Sequence, residues 1–388
     1  MSGVRVAWSI AAALAATTLV KTAIAALVAG REHRALREHP DPSAPTVTVL
    51  QPIRSGDPDL ADALEHTALE LPGARILHLV DDDDAEAQRV SAALAARHAG
   101  IETLLCAPAP HGVSPKSRKL GAAAERLTGP LLLLDDDTRI LARTADALVA
   151  ALGRAELSTA LPVYRSARTL AGRAVAAWVN HQAPLLYLPL APLGPRSANG
   201  MAVAVDADVL RAAGGFRAIE RSIVDDLALA RRIVLHGGRV VQLASPVVVA
   251  TDVAGLGALV RLMHRWMLFA SLALAAETPV WRAALVAGWG VPPALTGVVA
   301  AIALARPAAL PALGLVAVAR TASAWIARRA IDPDRELRRL GAAPLDPLLG
   351  LATELAQPLH LLHALVDRTV AWRGRRWRVR GIDRFEEA

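Results

Sequence analysis

Three consecutive aspartates follow an uninterrupted apolar run. Asp135, Asp136 and Asp137 come directly after residues 131–134, which are all leucine and match a buried parallel strand in length and composition. In an extended chain alternate side chains share a face, so we expect Asp135 and Asp137 to address one cation. Mg²⁺ or Mn²⁺ would suit carboxylates and substrate phosphates, and would neutralise a diphosphate leaving group. The alternative is a helix N-terminus with favourable acids, because a helix is predicted from near Arg143.

A second acidic cluster, residues 81–84, follows the predicted strand 75–80. In a functional interpretation, Asp81 or Asp82 accepts a hydrogen bond from the base of a nucleotide. The alternative is structural, because aspartates stabilise the first turn of a helix, here the one predicted at 85–98.

A third acidic pair, Asp225 and Asp226, follows the turn-forming residues 214–216 and begins a predicted helix that runs to His236. A carboxylate there is suited to act as general base for an acceptor hydroxyl. We expect the helix N-terminus to lower the pKa of Asp226 and keep it ionised. The alternative is a pair of N-capping residues.

Basic and aromatic side chains are concentrated on a helix predicted at 258–276, which carries Arg261, His264, Arg265 and Trp266. Arginine can bind a diphosphate through two parallel hydrogen bonds, and tryptophan is frequent at membrane interfaces. The alternative is a basic interfacial helix without a catalytic role.

Short strands and helices alternate between about residues 45 and 250, which predicts βαβ units and a parallel sheet. Ligands of such sheets bind beyond the carboxyl ends of the strands, where two of the acidic clusters lie. The chain has neither a GxGxxG fingerprint nor a Walker A loop, which argues against a dinucleotide oxidoreductase and a P-loop NTPase. The strands are predicted at 46–50 (ending at Gln51-Pro52), 75–80, 101–105 and 130–134, and the helices at 57–70, 85–98 and 117–127.

The composition points to a membrane. Of the 388 residues 54% are hydrophobic but only 3% aromatic, and the net charge is +7. Much of the positive charge flanks apolar segments, which favours the lipid bilayer over nucleic acid as partner. The single cysteine, Cys106, excludes an intrachain disulfide and a multi-cysteine metal site.

The first apolar segment, residues 6–29, is long enough to span a bilayer and precedes Arg31, Arg34 and Arg37. We interpret it as an anchor rather than a signal peptide, because no clear cleavage site follows. By the positive-inside rule the arginines place the next domain in the cytoplasm.

The second apolar region contains two segments of spanning length, 283–305 and 308–327. Pro292 and Pro293 are expected to break or kink the first, and Arg320 is costly in the second. The third segment, 344–366, is more polar and is predicted to be interfacial or re-entrant, which keeps the basic tail inside.

Taken in order, these motifs resemble the ceramide glucosyltransferase-like family 21 and the processive family 2 of membrane glycosyltransferases, which have a GT-A fold. The main markers are the strand-end acids Asp81 and Asp82, the triplet 135–137, the pair 225–226 and the Arg265-Trp266 dipeptide. Supporting markers are Pro115-Lys116, Asn199-Gly200-Met201, Gly214-Gly215-Phe216 and the tail 372–377.

The resemblance implies an α/β, Rossmann-like nucleotide-sugar-binding domain with N-terminal and C-terminal transmembrane or interfacial helices. The expected divisions are an anchor at 1–30, a GT-A domain at 45–255, an interfacial helix at 256–277, membrane helices at 278–366 and a basic cytoplasmic tail at 367–388.

The resemblance also implies roles for single residues. Asp226 would be the base with Asp225 beside it, and Arg265 and Trp266 would close over the diphosphate and acceptor. Asp135 and Asp137 would bind Mg²⁺ or Mn²⁺. The donor site is expected to include Asp81, Asp82, Lys116, Asp135, Asp136, Asp137 and Arg261.

Two departures from the family pattern concern the donor contacts and the acceptor. In the family, Gln or Arg stands three residues before the arginine of the Arg-Trp pair, but this position is Leu262 here, with Arg261 one residue earlier. The first acidic motif is followed by Ala85 and Glu86 rather than by Asp-Pro.

The implied activity is transfer of a hexose, of glucose or N-acetylglucosamine type, from a UDP-sugar to a lipid such as ceramide. One base without a carboxylate nucleophile predicts inversion at the anomeric carbon. The site would lie at the cytoplasmic face of the cell (inner) membrane in a multi-pass protein. Alternatives are transfer to a polyprenyl phosphate or a hopanoid-type lipid, polysaccharide synthesis, and a non-enzymatic membrane scaffold.

Overall fold

The computed structural model describes residues 2–38, 47–250, 253–372 and 375–388. The helices are α1 (Ser2–Glu38), α2 (Leu60–Glu70), α3 (Ala85–Ala95), α4 (Pro115–Ala124), α5 (Ala142–Ala150), α6 (Leu170–Leu190), α7 (Ala207–Ala212), α8 (Asp225–Leu235), α9 (Leu256–Ala275), α10 (Pro279–Leu285), α11 (Val291–Ala305), α12 (Leu310–Ile331) and α13 (Pro347–Val366). The strands are β1 (Thr48–Ile53), β2 (Arg75–Asp81), β3 (Ile101–Cys106), β4 (Pro130–Leu134), β5 (Thr138–Arg139), β6 (Leu157–Tyr164), β7 (Ala202–Asp206), β8 (Val240–Val249), β9 (Thr369–Trp372), β10 (Arg375–Gly381) and β11 (Arg384–Glu387).

The chain divides into two compact units. The first, which we call the sheet unit, comprises residues 31–165, 190–252 and 375–388. It contains a mixed sheet in the order β3-β2-β1-β4-β7-β6-β8-β5. Strands β1 to β4 are parallel and helices connect them, whereas β7 runs antiparallel to β4 and β6. The parallel strands with their crossover helices form the Rossmann-like half of a GT-A fold, so the predicted fold class is confirmed.

Strand β4 explains why residues 131–134 are all apolar. Its alternate side chains enter two separate cores, because successive residues of a strand point to opposite faces. Leu132 and Leu134 join the core that contains Leu64, Leu94 and Leu148 from α2, α3 and α5. Leu131 and Leu133 join the core that contains Leu120, Leu210 and Ile233 from α4, α7 and α8. The sheet is covered on both faces, as expected for a buried parallel strand.

Strand β1 differs from the prediction, which ended it at Leu50 before Gln51-Pro52. The strand continues to Ile53, and Pro52 lies opposite Leu79 of β2. Pairing with β4 extends only to Leu50, so the missing N–H of Pro52 is tolerated where one neighbour has ended. Thr46, the predicted start, lies outside the described residues.

The second unit, which we call the helical unit, comprises residues 1–30, 166–189 and 253–374. Within the described residues, four helical stretches are long and apolar enough to cross a membrane, which indicates a membrane protein: Ser2–Glu38, Leu256–Ala275, Pro279–Ala305 and Pro307–Ile331. Two of them contain the predicted C-terminal spans 283–305 and 308–327. The helix 256–275, predicted to be interfacial, also meets these criteria.

The predicted break at Pro292 and Pro293 takes the form of a wider helical turn. Residues 286–290 form a π-helical turn between α10 and α11, and the prolines are the second and third residues of α11. Proline has no N–H to donate to the preceding turn, so a local change of helical repeat accommodates both residues without ending the helical path.

The polar residue Arg320 of α12 is neutralised inside the helical unit. It forms an ion pair with Glu354 of α13, whose side chain is fully buried and also accepts a hydrogen bond from Thr296 Oγ1 at 3.1 Å. Lys21 of α1 donates to the carbonyl of Gly288 and lies 4.4 Å from the centre of the Trp289 ring. A buried charge with such partners is tolerated.

The end of the predicted basic tail is a β-hairpin, which the sequence interpretation did not foresee. Strands β10 and β11 pair antiparallel, and buried Trp377 packs edge-on against Phe385 with ring centres 5.3 Å apart. The carbonyl of Ile382 accepts a hydrogen bond from Ile223 N at 3.2 Å. The hairpin is therefore hydrogen-bonded to the segment that precedes Asp225.

Candidate active site

The carboxyl ends of β1, β2 and β4 lie at one edge of the sheet because these strands are parallel neighbours. Each ends at or just before a charged residue: Arg54 after β1, Asp81 in β2 and Asp135 after β4. Two of the predicted acidic clusters are thereby brought to the same edge.

Lys116 connects the triplet at β4 to the acidic pair at α8. It lies in the first turn of α4, which begins after the N-cap Ser114 with Pro115 at its first position. Its Nζ atom is 2.6 Å from Asp135 Oδ1 and 3.2 Å from Asp225 Oδ2. Burial alone would lower the pKa of Lys116, but the two carboxylates outweigh it and hold the pKa above its usual value. The ammonium group is therefore permanently charged.

Asp226 is held by backbone amides in the first turn of α8. Its Oδ2 atom accepts from Gly200 N at 3.1 Å, and its Oδ1 atom accepts from Leu227 N at 2.7 Å. A Cβ atom at position 200 would lie 3.1 Å from the Cβ of Asp226, so the glycine allows this close approach. The N-cap residue of α8 is Val224, and the interpretation of Asp225 and Asp226 as an N-cap pair is wrong.

The protonation of Asp226 also differs from expectation. Burial, followed by the charge of Asp225, raises the pKa of Asp226 to about 6. The expectation that a helix N-terminus would lower this pKa is wrong, because desolvation and a like charge outweigh the two amide hydrogen bonds. A carboxyl group with this pKa is suited to accept a proton near neutral pH.

The triplet 135–137 forms a turn rather than the extended chain that was predicted. Thr138 N donates to the carbonyl of Asp135 at 3.2 Å. Asp136 is buried and its Oδ2 atom accepts from Arg54 N at 2.8 Å. Helix α5 begins only at Ala142, so the interpretation as a helix N-terminus is wrong. Strand alternation therefore does not supply a shared face for Asp135 and Asp137.

A divalent cation fits this turn by donor type. Asp135 and Asp137 are half-buried and both offer carboxylate oxygens, the ligands that Mg²⁺ and Mn²⁺ favour. Burial raises the pKa of Asp135, although the positive charge of Lys116 partly offsets this rise. Joint coordination of one ion by Asp135 and Asp137 remains a prediction.

Asp81 is engaged by two basic residues that the sequence interpretation missed. Its Oδ2 atom lies 3.0 Å from Lys119 Nζ and 3.2 Å from an Arg54 guanidinium nitrogen. Buried Lys119 also donates to the carbonyl of Ile53 at 2.7 Å. The available signal was the spacing of Lys116 and Lys119, since residues three apart share a helix face. Asp82, in contrast, is exposed at the end of the strand.

The structural alternative for the cluster 81–84 is confirmed for one residue. Asp84 is the N-cap of α3 and its side chain accepts from Ala87 N at 3.1 Å. It also accepts from Ser55 N at 2.9 Å. Asp84 therefore fixes the loop after β1 to the start of α3.

The predicted Arg-Trp motif lies on α9 in the helical unit. Trp266 stacks on Trp178 of α6 with ring centres 5.6 Å apart, and Trp178 donates to Gln357 Oε1 of α13 at 3.3 Å. Arg261 is exposed and lies one helical turn from half-buried Arg265. Arg261 and Arg265 therefore share a face of α9, and their contact with a diphosphate remains a prediction.

The sequence establishes the class of protein to which this fold and acidic site belong. Residues 8–384 match the family described as Glycosyl transferase family 21. The chain belongs to this family, and the predicted resemblance is confirmed. It is a glycosyltransferase.

Solved structures with a similar chain path include other glycosyltransferases. A mannosyltransferase from Pyrobaculum calidifontis, in complex with GDP-Man and Mn²⁺, is 18% identical at a TM-score of 0.44, covering 93% of this chain and 98% of its own. Glucosyl-3-phosphoglycerate synthase from Mycobacterium tuberculosis, with Mn²⁺, UDP and phosphoglyceric acid, is 15% identical at a TM-score of 0.33, covering 55% and 72%.

Proposed function

We propose that this protein transfers a hexose, of glucose or N-acetylglucosamine type, from a UDP-sugar to the hydroxyl of a membrane lipid such as ceramide, with inversion. The observation that supports this most is the position of Lys116 between Asp135 and Asp225. Lys116 contacts both Asp135, which is expected to help bind the donor diphosphate, and Asp225, which lies beside the expected base.

Asp226 is the proposed general base. The amides of Gly200 and Leu227 fix its carboxylate, and a fixed base accepts the proton of the acceptor hydroxyl as the oxygen attacks the anomeric carbon. The bond from the sugar to the diphosphate breaks on the opposite face, which inverts the configuration. Lys116 keeps positive charge beside the carboxylates throughout, so the cluster tolerates an anionic donor.

Asp135 and Asp137 are the proposed ligands of Mg²⁺ or Mn²⁺. When bound, the ion supplies charge neutralisation for the departing UDP. Asp81 and Asp82 are proposed to contact the uridine. Asp81 is oriented by Lys119 and Arg54, and the exposed carboxylate of Asp82 can accept a hydrogen bond from the base or ribose.

The acceptor is proposed to reach the protein along the membrane interface, on which α9 would lie flat. His264, in the middle of α9, donates to the carbonyl of Asp367 at 2.8 Å. Asp367 and Arg368 are exposed. If α9 crossed the bilayer, these charged residues would lie near the bilayer centre, where charge is strongly unfavourable. The contact therefore favours the interfacial arrangement. The closing of Arg265 and Trp266 over the diphosphate and acceptor is proposed from the resemblance to the family alone.

The proposed organisation is an anchor at 1–30, a catalytic domain at 45–255, the interfacial helix at 256–277, membrane helices at 278–366 and a cytoplasmic tail at 367–388. The catalytic domain is proposed to face the cytoplasm from the cell membrane.

A direct test is UDP release by the detergent-solubilised protein with a panel of UDP-sugars and separate acceptors: ceramide, a hopanoid with a free hydroxyl, and polyprenyl phosphate. Stimulation by ceramide, with a β-linked product from an α-linked donor, would support the proposal. Product on polyprenyl phosphate alone, or a polysaccharide, would replace it with that alternative. Failure to bind any nucleotide would favour a scaffold.

The pH dependence of transfer should report the protonation of Asp226. Because its pKa is raised to about 6, the base is lost as pH falls through that value. We expect kcat/KM to decrease about tenfold per pH unit below it. The Asp225→Asn variant should move the inflection to lower pH, since the charge of Asp225 is one cause of the shift. An inflection that Asp225→Asn leaves in place would contradict the assignment.

The cytoplasmic location can be tested with an engineered thiol. Cys106 is a poor target because it is buried, which raises the pKa of its thiol. We expect Arg217→Cys in a Cys106→Ser background to react with a membrane-impermeant maleimide only after cells are permeabilised, since the Arg217 side chain is 69% exposed. Labelling in intact cells would place the sheet unit outside.

A further inference from the structure

A second candidate metal site lies in the helical unit and is formed by residues other than those to which the proposed function assigns metal binding. His264 of α9, His363 of α13 and Asp367 just after α13 each place a ligand atom within 4.8 Å of the other two. Within the parts of the chain that the structure describes, this is the only group of three or more histidine, cysteine or acidic side chains with that proximity.

The hydrogen bonding of His264 prepares its ring for a metal. Its Nε2 atom lies 2.8 Å from the backbone carbonyl of Asp367. A carbonyl only accepts, so Nε2 must carry the hydrogen, and the neutral ring holds its lone pair on Nδ1. Metal-binding histidines usually donate their other ring N–H to a carbonyl or carboxylate in this way, which fixes tautomer and orientation. Burial of His264 restricts the ring further.

The other two side chains have the freedom to complete the site. His363 and Asp367 are exposed, and the His363 ring stacks on His264 with centres 4.2 Å apart. Asp367 Oδ1 accepts from Thr369 N at 2.8 Å, which holds the carboxylate in place while its other oxygen can bind an ion. Two imidazoles with one carboxylate favour zinc and similar transition ions over Mg²⁺.

We propose that His264, His363 and Asp367 bind one zinc-class divalent cation, with water completing its coordination. The ion would tie α9, which carries Arg265 and Trp266, to the end of α13. This site is independent of the proposed sugar transfer, because none of its ligands is assigned to the donor, the acceptor or the base.

The test uses the full-length protein in detergent, with Co²⁺ as a spectroscopic probe and Zn²⁺ as competitor, in excess Mg²⁺ to occupy the aspartate triplet. We expect one equivalent of Co²⁺ to bind and to give the intense visible d–d bands that are typical of Co²⁺ at low coordination number. Zn²⁺ should displace the Co²⁺ and abolish the bands. His363→Gln and Asp367→Asn should each weaken binding at least about tenfold, and Asp367→Asn retains an acceptor for Thr369. His111→Gln, an exposed histidine of the sheet unit with a 91% exposed side chain, should bind as wild type.

Absence of the bands, or their survival in both His363→Gln and Asp367→Asn, would overturn the proposal. Because the readout is ion binding, it stays separate from sugar transfer: an inactive protein that binds Co²⁺ here would still support the site. A rise in the melting temperature with Zn²⁺, lost in the same two variants, would be the matching thermal result.

Discussion

Replacing Asp226 by asparagine is expected to lower the rate of sugar transfer by at least about 10²-fold while UDP binding is retained. Asparagine keeps the size of the side chain but removes its basicity. Asp226 accepts from both Gly200 N and Leu227 N, and the NH₂ group of asparagine cannot accept from either. A modest loss of thermal stability is therefore expected as well, and the melting temperature must be measured beside UDP affinity and lipid glycosylation.

Asp225→Asn is the matched control for this prediction. Asp225 contacts Lys116 rather than the two amides, so its replacement should reduce transfer less than that of Asp226. If Asp225→Asn is inactive and Asp226→Asn is nearly normal, the base is Asp225. If both variants are normal, the base lies elsewhere and the carry-over from the family is wrong at this residue.

Replacing Asp137 by alanine is expected to abolish transfer and the metal-dependent part of UDP binding while the fold is retained. The side chain is half-buried in the turn after β4, and Ala250 N donates at 2.8 Å to the backbone carbonyl of residue 137, which alanine also has. Loss of one carboxylate ligand weakens the binding of a hard divalent ion, because such an ion is held by few protein oxygens. UDP binding measured calorimetrically with and without Mn²⁺ or Mg²⁺ separates the metal effect from the donor effect.

Asp136→Asn provides the comparison, because Asp136 is not a proposed metal ligand and accepts from Arg54 N, which an amide oxygen can also do. It should retain metal-dependent UDP binding. Near-normal transfer by Asp137→Ala in the presence of a chelator would refute metal dependence at the triplet.

The parallel strands, and the position of Asp81 and Asp135 at the same edge of the sheet, followed from general rules. Parallel strands were predicted from alternation of elements, and their carboxyl ends must share an edge. Residues 131–134 were predicted to form a buried strand because all four are apolar. In the structure both faces of β4 are covered, which confirms this prediction.

The details of the site depended on contacts that periodicity does not encode. The turn at 135–137 replaced an extended chain, and the raised pKa of Asp226 depends on its burial and on the charge of Asp225. Lys119 and Arg54 are separated from Asp81 along the chain, and their pairing with it depends on how α4 and β1 pack against β2. The hairpin β10–β11 was missed because its charged residues obscured the alternation of buried Trp377 and Val379.

The ion pair between Arg320 and Glu354 bears on how the chain enters the membrane during synthesis. Arg320 leaves the ribosome before Glu354, so α12 presents an uncompensated guanidinium to the translocation machinery until α13 follows. An arginine at the centre of a helix opposes lateral release into lipid by about 2.5–3.5 kcal/mol. If α12 spans the bilayer, its integration is therefore coupled to the arrival of α13, and a nascent chain that ends before Glu354 is expected to integrate α12 less efficiently.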